Sequence, residues 1–111
     1  MTDISVPKPI KLAGRLDTAR VGEIETGFYA SVGAFKTRGE VVLIDLTDVE
    51  FLSSLGIRLL ITAGKLLKQR QMKVGVIAPA SSQVMEALEL SGLSDFFSFF
   101  DSEATARAAL A

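Results

Sequence analysis

Hydrophobic positions along this chain switch between two periods. Val41-Val42-Leu43-Ile44-Asp45-Leu46 is short, β-branched and almost wholly apolar, with Gly39 ahead of it and Thr47-Asp48 behind. Such a run reads as a strand buried on both faces, of the kind found inside parallel sheets covered by helices. Val74-Gly75-Val76-Ile77-Ala78, stopped by Pro79, reads the same way. Between them, from about Ser54 to Arg70, Gly56, Leu59, Leu60, Ala63, Leu66 and Leu67 recur at the spacing of one helix face. Lys65, Lys68 and Arg70 gather toward its end, where cations complement the helix dipole. Strand, helix and strand make a βαβ unit, which implies a right-handed crossover.

The alternation continues in both directions. Upstream, Ile10 to Leu16 reads as a strand, Asp17 as a helix N-cap, and Val21, Ile24, Phe28 and Phe35 as the apolar side of a helix. Gly22, Gly27 and Gly33 weaken that helix, each by about 1 kcal/mol against alanine. Downstream, Ser81 or Ser82 caps a helix carrying Val84, Leu88 and Ser91, with Gly92 as its stop. Phe96-Phe97-Ser98-Phe99-Phe100 reads as an aromatic-rich strand, and Asp101-Ser102-Glu103 opens a last short helix. Alternation turns about half of those phenylalanines into the core, and an outward pair would offer a patch for self-association as a homodimer or for a partner. The predicted fold is α/β: a single-layer mixed, mostly parallel β-sheet of four to five strands with about four helices, one domain over residues 1–111. Pro7 and Pro9 mark an edge or irregular segment before the first strand.

Composition narrows the chemistry. Among 111 residues there is no Cys and no His, so the usual general base, thiolate nucleophile and zinc ligand sets are missing. Gly14, Gly56 and Gly75 match the spacing of neither common phosphate-binding loop. A small doubly wound enzyme therefore lacks its parts here, and no cofactor is expected. Twelve Lys and Arg against 13 Asp and Glu leave a net charge of −1, without the basic excess of nucleic-acid binders. No apolar run reaches the roughly 20 residues of a membrane span, and the first residues lack a signal peptide's pattern. A cytoplasmic protein without membrane insertion is expected.

The informative stretch is Asp45-Leu46-Thr47-Asp48-Val49-Glu50-Phe51-Leu52-Ser53-Ser54-Leu55-Gly56-Ile57-Arg58. It reads as a buried strand, a polar turn, an apolar pair (Phe51, Leu52) and two hydroxyls where a helix begins. A hydroxyl there caps the helix, and the same place favours an added phosphate because backbone N–H groups and the dipole attract anions. A phosphoserine would add about −1.5 to −2 charges at pH 7 and alter the surface shown to a partner. Capping alone is the simpler reading of Ser53 and Ser54. Asp17 and Asp45 read as cap or turn residues, Gly56 as a point of close helix–sheet packing, and Arg58 as a solvent-facing charge.

This stretch is similar to the bacterial anti-sigma factor antagonist pattern Asp-Leu-Ser-x-Val-x-Phe-x-Asp-Ser-Ser-Gly, and the chain resembles the STAS domain family that carries it. Gly14-Arg15-Leu16-Asp17, Ala78-Pro79-Ala80-Ser81-Ser82, Leu88-Glu89-Leu90-Ser91-Gly92-Leu93 and Phe99 to Ala106 resemble the family's other landmarks in order and spacing. The resemblance implies a binding protein, not an enzyme. It implies docking to an anti-sigma factor and serine kinase of the GHKL kinase fold, phosphorylation of a serine that ends the binding, and a phosphatase that resets it. In register, the family's usual acceptor falls on Leu55. The acceptor role carries over to Ser54 first and Ser53 second. The implied partner surface is Phe51, Leu52, Ser53, Ser54, Leu55, Gly56 and Arg58, flanked by Asp17 and Ser81. The Leu55 departure keeps a second expectation open: a non-phosphorylated, STAS-like accessory subunit of a membrane lipid-transport complex.

Overall fold

The computed structural model describes residues 8–80 and 82–110. Strands β1 (Ile10–Leu16), β2 (Val41–Leu52), β3 (Lys73–Ile77) and β4 (Ser98–Phe100) alternate with helices α1 (Thr18–Gly33), α2 (Ser54–Gln69), α3 (Gln83–Leu90) and α4 (Glu103–Leu110). The strands form one sheet in the order β1-β2-β3-β4, with every neighbouring pair parallel. No antiparallel or fifth strand occurs among the described residues, so the mixed sheet resolves into a four-stranded parallel one.

The main core lies between one sheet face and helices α1, α2 and α3. Val42, Ile44 and Leu46 of β2 meet Val21, Phe28 and Val32 of α1, Leu59, Leu60, Ala63 and Leu67 of α2, and Val84 and Leu88 of α3. Complete burial of Leu60 or Leu67 contributes about 2 kcal/mol each. A smaller cluster on the opposite face packs Leu43 and Ile77 of the sheet against Ala106 of α4. Gly75 leaves the room for it: a Cβ there would meet Leu110 at 2.9 Å and the Phe100 ring at 3.0 Å. Helix α4 packs on β3, β4 and β2. On the β1 side of that face Lys11, Ala13, Arg15, Asp48 and Phe51 stay exposed.

Three sequence expectations change. The strand from Val41 does not end in a polar turn at Thr47-Asp48 but runs on to Leu52, paired with β1 from Ile44 onward except where two register shifts interrupt the ladder. Two register shifts, between Lys11 and Ala13 and between Gly14 and Arg15, each slip an extra β2 residue into the ladder. Buried positions therefore recur at Leu46, Val49 and Leu52, every third residue where a regular strand gives every second, which disguises the strand as a turn. Gly14 takes a φ of +80° at the second shift, a conformation that L side chains rarely adopt. The aromatic strand shrinks to Ser98–Phe100, because Leu93–Asp95 is a short 3-10 turn that tucks Phe97 into the core. Phe96, Phe99 and Phe100 are partly buried against the two clusters, so no outward phenylalanine pair remains. Finally, Arg70 serves more than its own helix: its guanidinium donates to the carbonyls of Gly33 (3.2 Å) and Phe35 (2.8 Å) and ties down the end of α1.

Candidate functional site

Because every strand is parallel and feeds a helix, all four strand-to-helix turns fall at one end of the sheet. Each helix there is capped by a side-chain oxygen. Asp17 accepts from Arg20 N–H at 3.0 Å, Ser53 from Gly56 at 3.2 Å, Ser82 from Met85 at 3.0 Å and Ser102 from Thr105 at 3.1 Å. The strand order never reverses and α1, α2 and α3 share one face, so this end has no switch-point crevice of the kind that holds ligands in doubly wound sheets. Among the described residues no group of three or more His, Cys, Asp or Glu side chains could hold a metal ion.

The β2-to-α2 turn is built more tightly than the others. The Ser53 hydroxyl accepts from Gly56 N–H and also donates to the Leu16 carbonyl at 2.6 Å, while Ser53 N–H donates to that same carbonyl at 3.1 Å. One serine thus ties the end of β1, the end of β2 and the first turn of α2 together. Gly56 closes the arrangement. A Cβ on it would stand 2.9 Å from Leu52 Cδ1 and 3.3 Å from both the Cβ and the carbonyl oxygen of Leu16. Leu52 and Gly56 face inward and support the surface from beneath. At the first register shift the Asp45 carboxylate accepts from the Thr47 N–H at 2.8 Å and from its hydroxyl at 2.5 Å, a local turn-holding role.

Ser54 is the first residue of α2; it is exposed, and among the described residues its hydroxyl has no hydrogen-bond partner. Two neighbouring hydroxyls therefore differ in kind: Ser53 is consumed by the fold, and Ser54 is left over. Around Ser54 lie two further features. Phe51, one of two exposed large hydrophobic residues among those described, carries the Arg15 guanidinium 4.5 Å from its ring centroid. Between α1 and α2 runs an open groove of about 240 Å³, walled by Gly22, Glu25 and Tyr29 on one side and Leu55, Arg58 and Leu59 on the other. Leu55 is half-buried there and Arg58 is exposed.

Asp17 reaches the same sheet end and serves as a cap, whereas Ser81 lies outside the described residues. Sequence reasoning missed Arg15 and Tyr29. The parallel register pairs Arg15 with Phe51, but that pairing becomes visible only once β2 is known to extend through both bulges. Tyr29 stands two turns from Val21 on α1, and its groove-facing position follows from the α1–α2 packing. Farther up the open sheet face Lys11 and Asp48 pair at 3.0 Å, and the hydrogen bond and charge of Asp48 hold the Lys11 ammonium above its ordinary value.

The sequence profile of the STAS domain family matches residues 5–106. No curated protein matches the chain. Among solved structures, an anti-sigma-factor antagonist (STAS) domain protein from Planctomyces limnophilus superposes with a TM-score of 0.75 at 28% identity, covering 87% of this chain and 80% of that one. A candidate anti-sigma factor antagonist from Thermotoga maritima gives a TM-score of 0.71 over 93% of this chain and 83% of that one. At 14% identity the second likeness concerns the fold alone. With the α/β order, the strand-to-helix turns and the family profile in agreement over most of the chain, the protein belongs to the STAS domain family.

Proposed function

We propose that this chain is an anti-sigma factor antagonist: a cytoplasmic binding module that docks to a kinase-fold anti-sigma factor and is released when Ser54 is phosphorylated. The observation that carries the reading is the division of labour at the β2-to-α2 turn. Ser53 is bonded on both sides into the fold, while Ser54, one residue on, is exposed and has no hydrogen-bond partner among the described residues. A hydroxyl that the fold does not need can change its charge without disturbing the fold. Phosphorylation there places about two negative charges on the docking surface between Phe51 and the α1–α2 groove, where they repel a partner shaped for a neutral serine. The domain contributes the acceptor oxygen and the surface; the partner contributes ATP and the chemistry, and a phosphatase resets the cycle.

The test is a binding titration of the purified kinase-fold partner against the unmodified chain and a Ser54→Asp variant. The reading predicts unchanged thermal unfolding and an affinity at least tenfold weaker for the variant. Equal affinities would remove the switch from this site. One observation favours the alternative of a non-phosphorylated accessory subunit in a lipid-transport complex: Leu55, in the family's usual acceptor register, has no hydroxyl and packs half-buried against the core. Stable co-purification with a transport ATPase, without phosphate on any serine, would select that reading.

A further inference from the structure

Arg58 stands one helical turn beyond Ser54 on α2. Both are exposed, and residues four apart on a helix bring their Cβ atoms to about 6 Å. The acid-first order, with the anion nearer the helix start, is the favourable one. Other guanidinium groups near this end are engaged: Arg15 lies over Phe51 and Arg20 stands 3.8 Å from Glu23. Arg58 makes no ion pair, hydrogen bond or ring contact among the described residues. It lines the α1–α2 groove opposite Glu25 without pairing to it.

We propose that Arg58 is the intramolecular counter-ion of a phosphate on Ser54, so that modification withdraws a cation from the docking groove as well as adding an anion beside it. The inference rests on the reading of Ser54 as a modified residue and assigns a second residue to that switch. Before modification the guanidinium is free to meet a partner carboxylate at the groove wall. Afterwards two parallel N–H bonds to phosphate oxygens hold it against the first turn of its own helix, a geometry guanidinium favours. The local charge then falls from that of an open cation beside a neutral serine to that of a partly neutralised phosphate. The nearby charges that compete for either group are Asp17 and Glu25 on the α1 side and Arg15 on β1.

The experiment uses the full chain with phosphoserine genetically encoded at position 54, so it requires no kinase. Phosphorus NMR follows the second ionisation of that phosphate in the otherwise native chain, in an Arg58→Gln variant and in an Arg58→Lys variant. The expected midpoint is about 0.3 pH unit lower with arginine than with the glutamine substitution. The lysine variant should recover part of the difference, and about 1 M salt should shrink it. Arg58 is exposed, so the substitutions leave unfolding unchanged. Identical midpoints with and without the arginine would overturn the proposal. Failure of the underlying reading shows elsewhere, as a native chain that acquires no phosphate on Ser54 from its kinase and ATP.

Discussion

Two strand-to-helix turns at the same sheet end, β2-to-α2 and β3-to-α3, are capped by a serine and look alike in sequence, yet they are built differently. At β3-to-α3 the Ser82 hydroxyl accepts from Met85 N–H, and its backbone N–H turns back to Pro79 within the same loop. At β2-to-α2 the Ser53 hydroxyl also bridges to β1 through the Leu16 carbonyl, and Gly56 lets the helix sit directly on Leu16 and Leu52. The β3-to-α3 turn is locally stitched. The β2-to-α2 turn is stitched across the sheet, next to a spare hydroxyl and an exposed aromatic ring. The difference teaches where a switch can sit: rigidity is concentrated in Ser53 and Gly56, and Ser54 is free to change because its neighbours hold the frame.

Substitutions can break that comparison in order of size. Gly56→Val should do most damage, about 3 kcal/mol in urea unfolding, because the new carbons enter space held by the Leu16 backbone and side chain and by Leu52. Gly22→Ala is the contrast: nothing lies within 4 Å of a Cβ there, and the helix should gain about 0.5 kcal/mol. Next comes Ser53→Ala, expected to cost about 2 kcal/mol, since it removes a cap and a bond to the Leu16 carbonyl together. Ser82→Ala removes one cap and should cost about 1 kcal/mol. If these two serine variants lose equal stability, the cross-sheet bond contributes nothing and the contrast between the turns collapses. Ser54→Ala should change stability by less than about 0.5 kcal/mol, as is usual for an exposed surface side chain.

The smallest effect belongs to the open sheet face. Asp48 raises the Lys11 ammonium above 10.5, so the pair's contribution is fully present below the ordinary lysine value and is lost as pH climbs through the raised one. Because both partners are exposed, Lys11→Met should nevertheless leave the thermal midpoint unmoved within replicate scatter, with any difference from the native chain constant from neutral pH up to the ordinary lysine value. A difference that changes between pH 6 and 9, roughly neutral conditions, would mean that another titrating group is involved.

Much of this fold is legible in the sequence. The β-branched runs at 41–46 and 74–78 and the apolar stripe from Gly56 to Leu67 fall on β2, β3 and α2. Asp17, Ser53 and Ser82 cap as their residue types dictate, and Gly92, with φ of +81°, stops α3. What escapes is whatever departs from a simple period. The two bulges that carry β2 on to Leu52 break the every-second-residue rhythm, and with it the register that puts Arg15 over Phe51. Periodicity likewise gives no sign that Arg70 caps α1, because the contact joins residues about 35 apart. Within the candidate site, two hydroxyls in the right place are readable. Which of them the fold consumes is decided by a bond to Leu16, 37 residues away in sequence.

The central claim, that the fold-bearing and the modifiable hydroxyl are adjacent but separate, is tested most directly by mapping phosphate. The native chain, Ser53→Ala and Ser54→Ala are each incubated with the proposed kinase-fold partner and ATP, and the modified peptide is sequenced by mass spectrometry. The account predicts phosphate on Ser54 in the native chain, its persistence in Ser53→Ala at a temperature where that variant stays folded, and its loss in Ser54→Ala. Phosphate on Ser53, or undiminished labelling of Ser54→Ala, would contradict it.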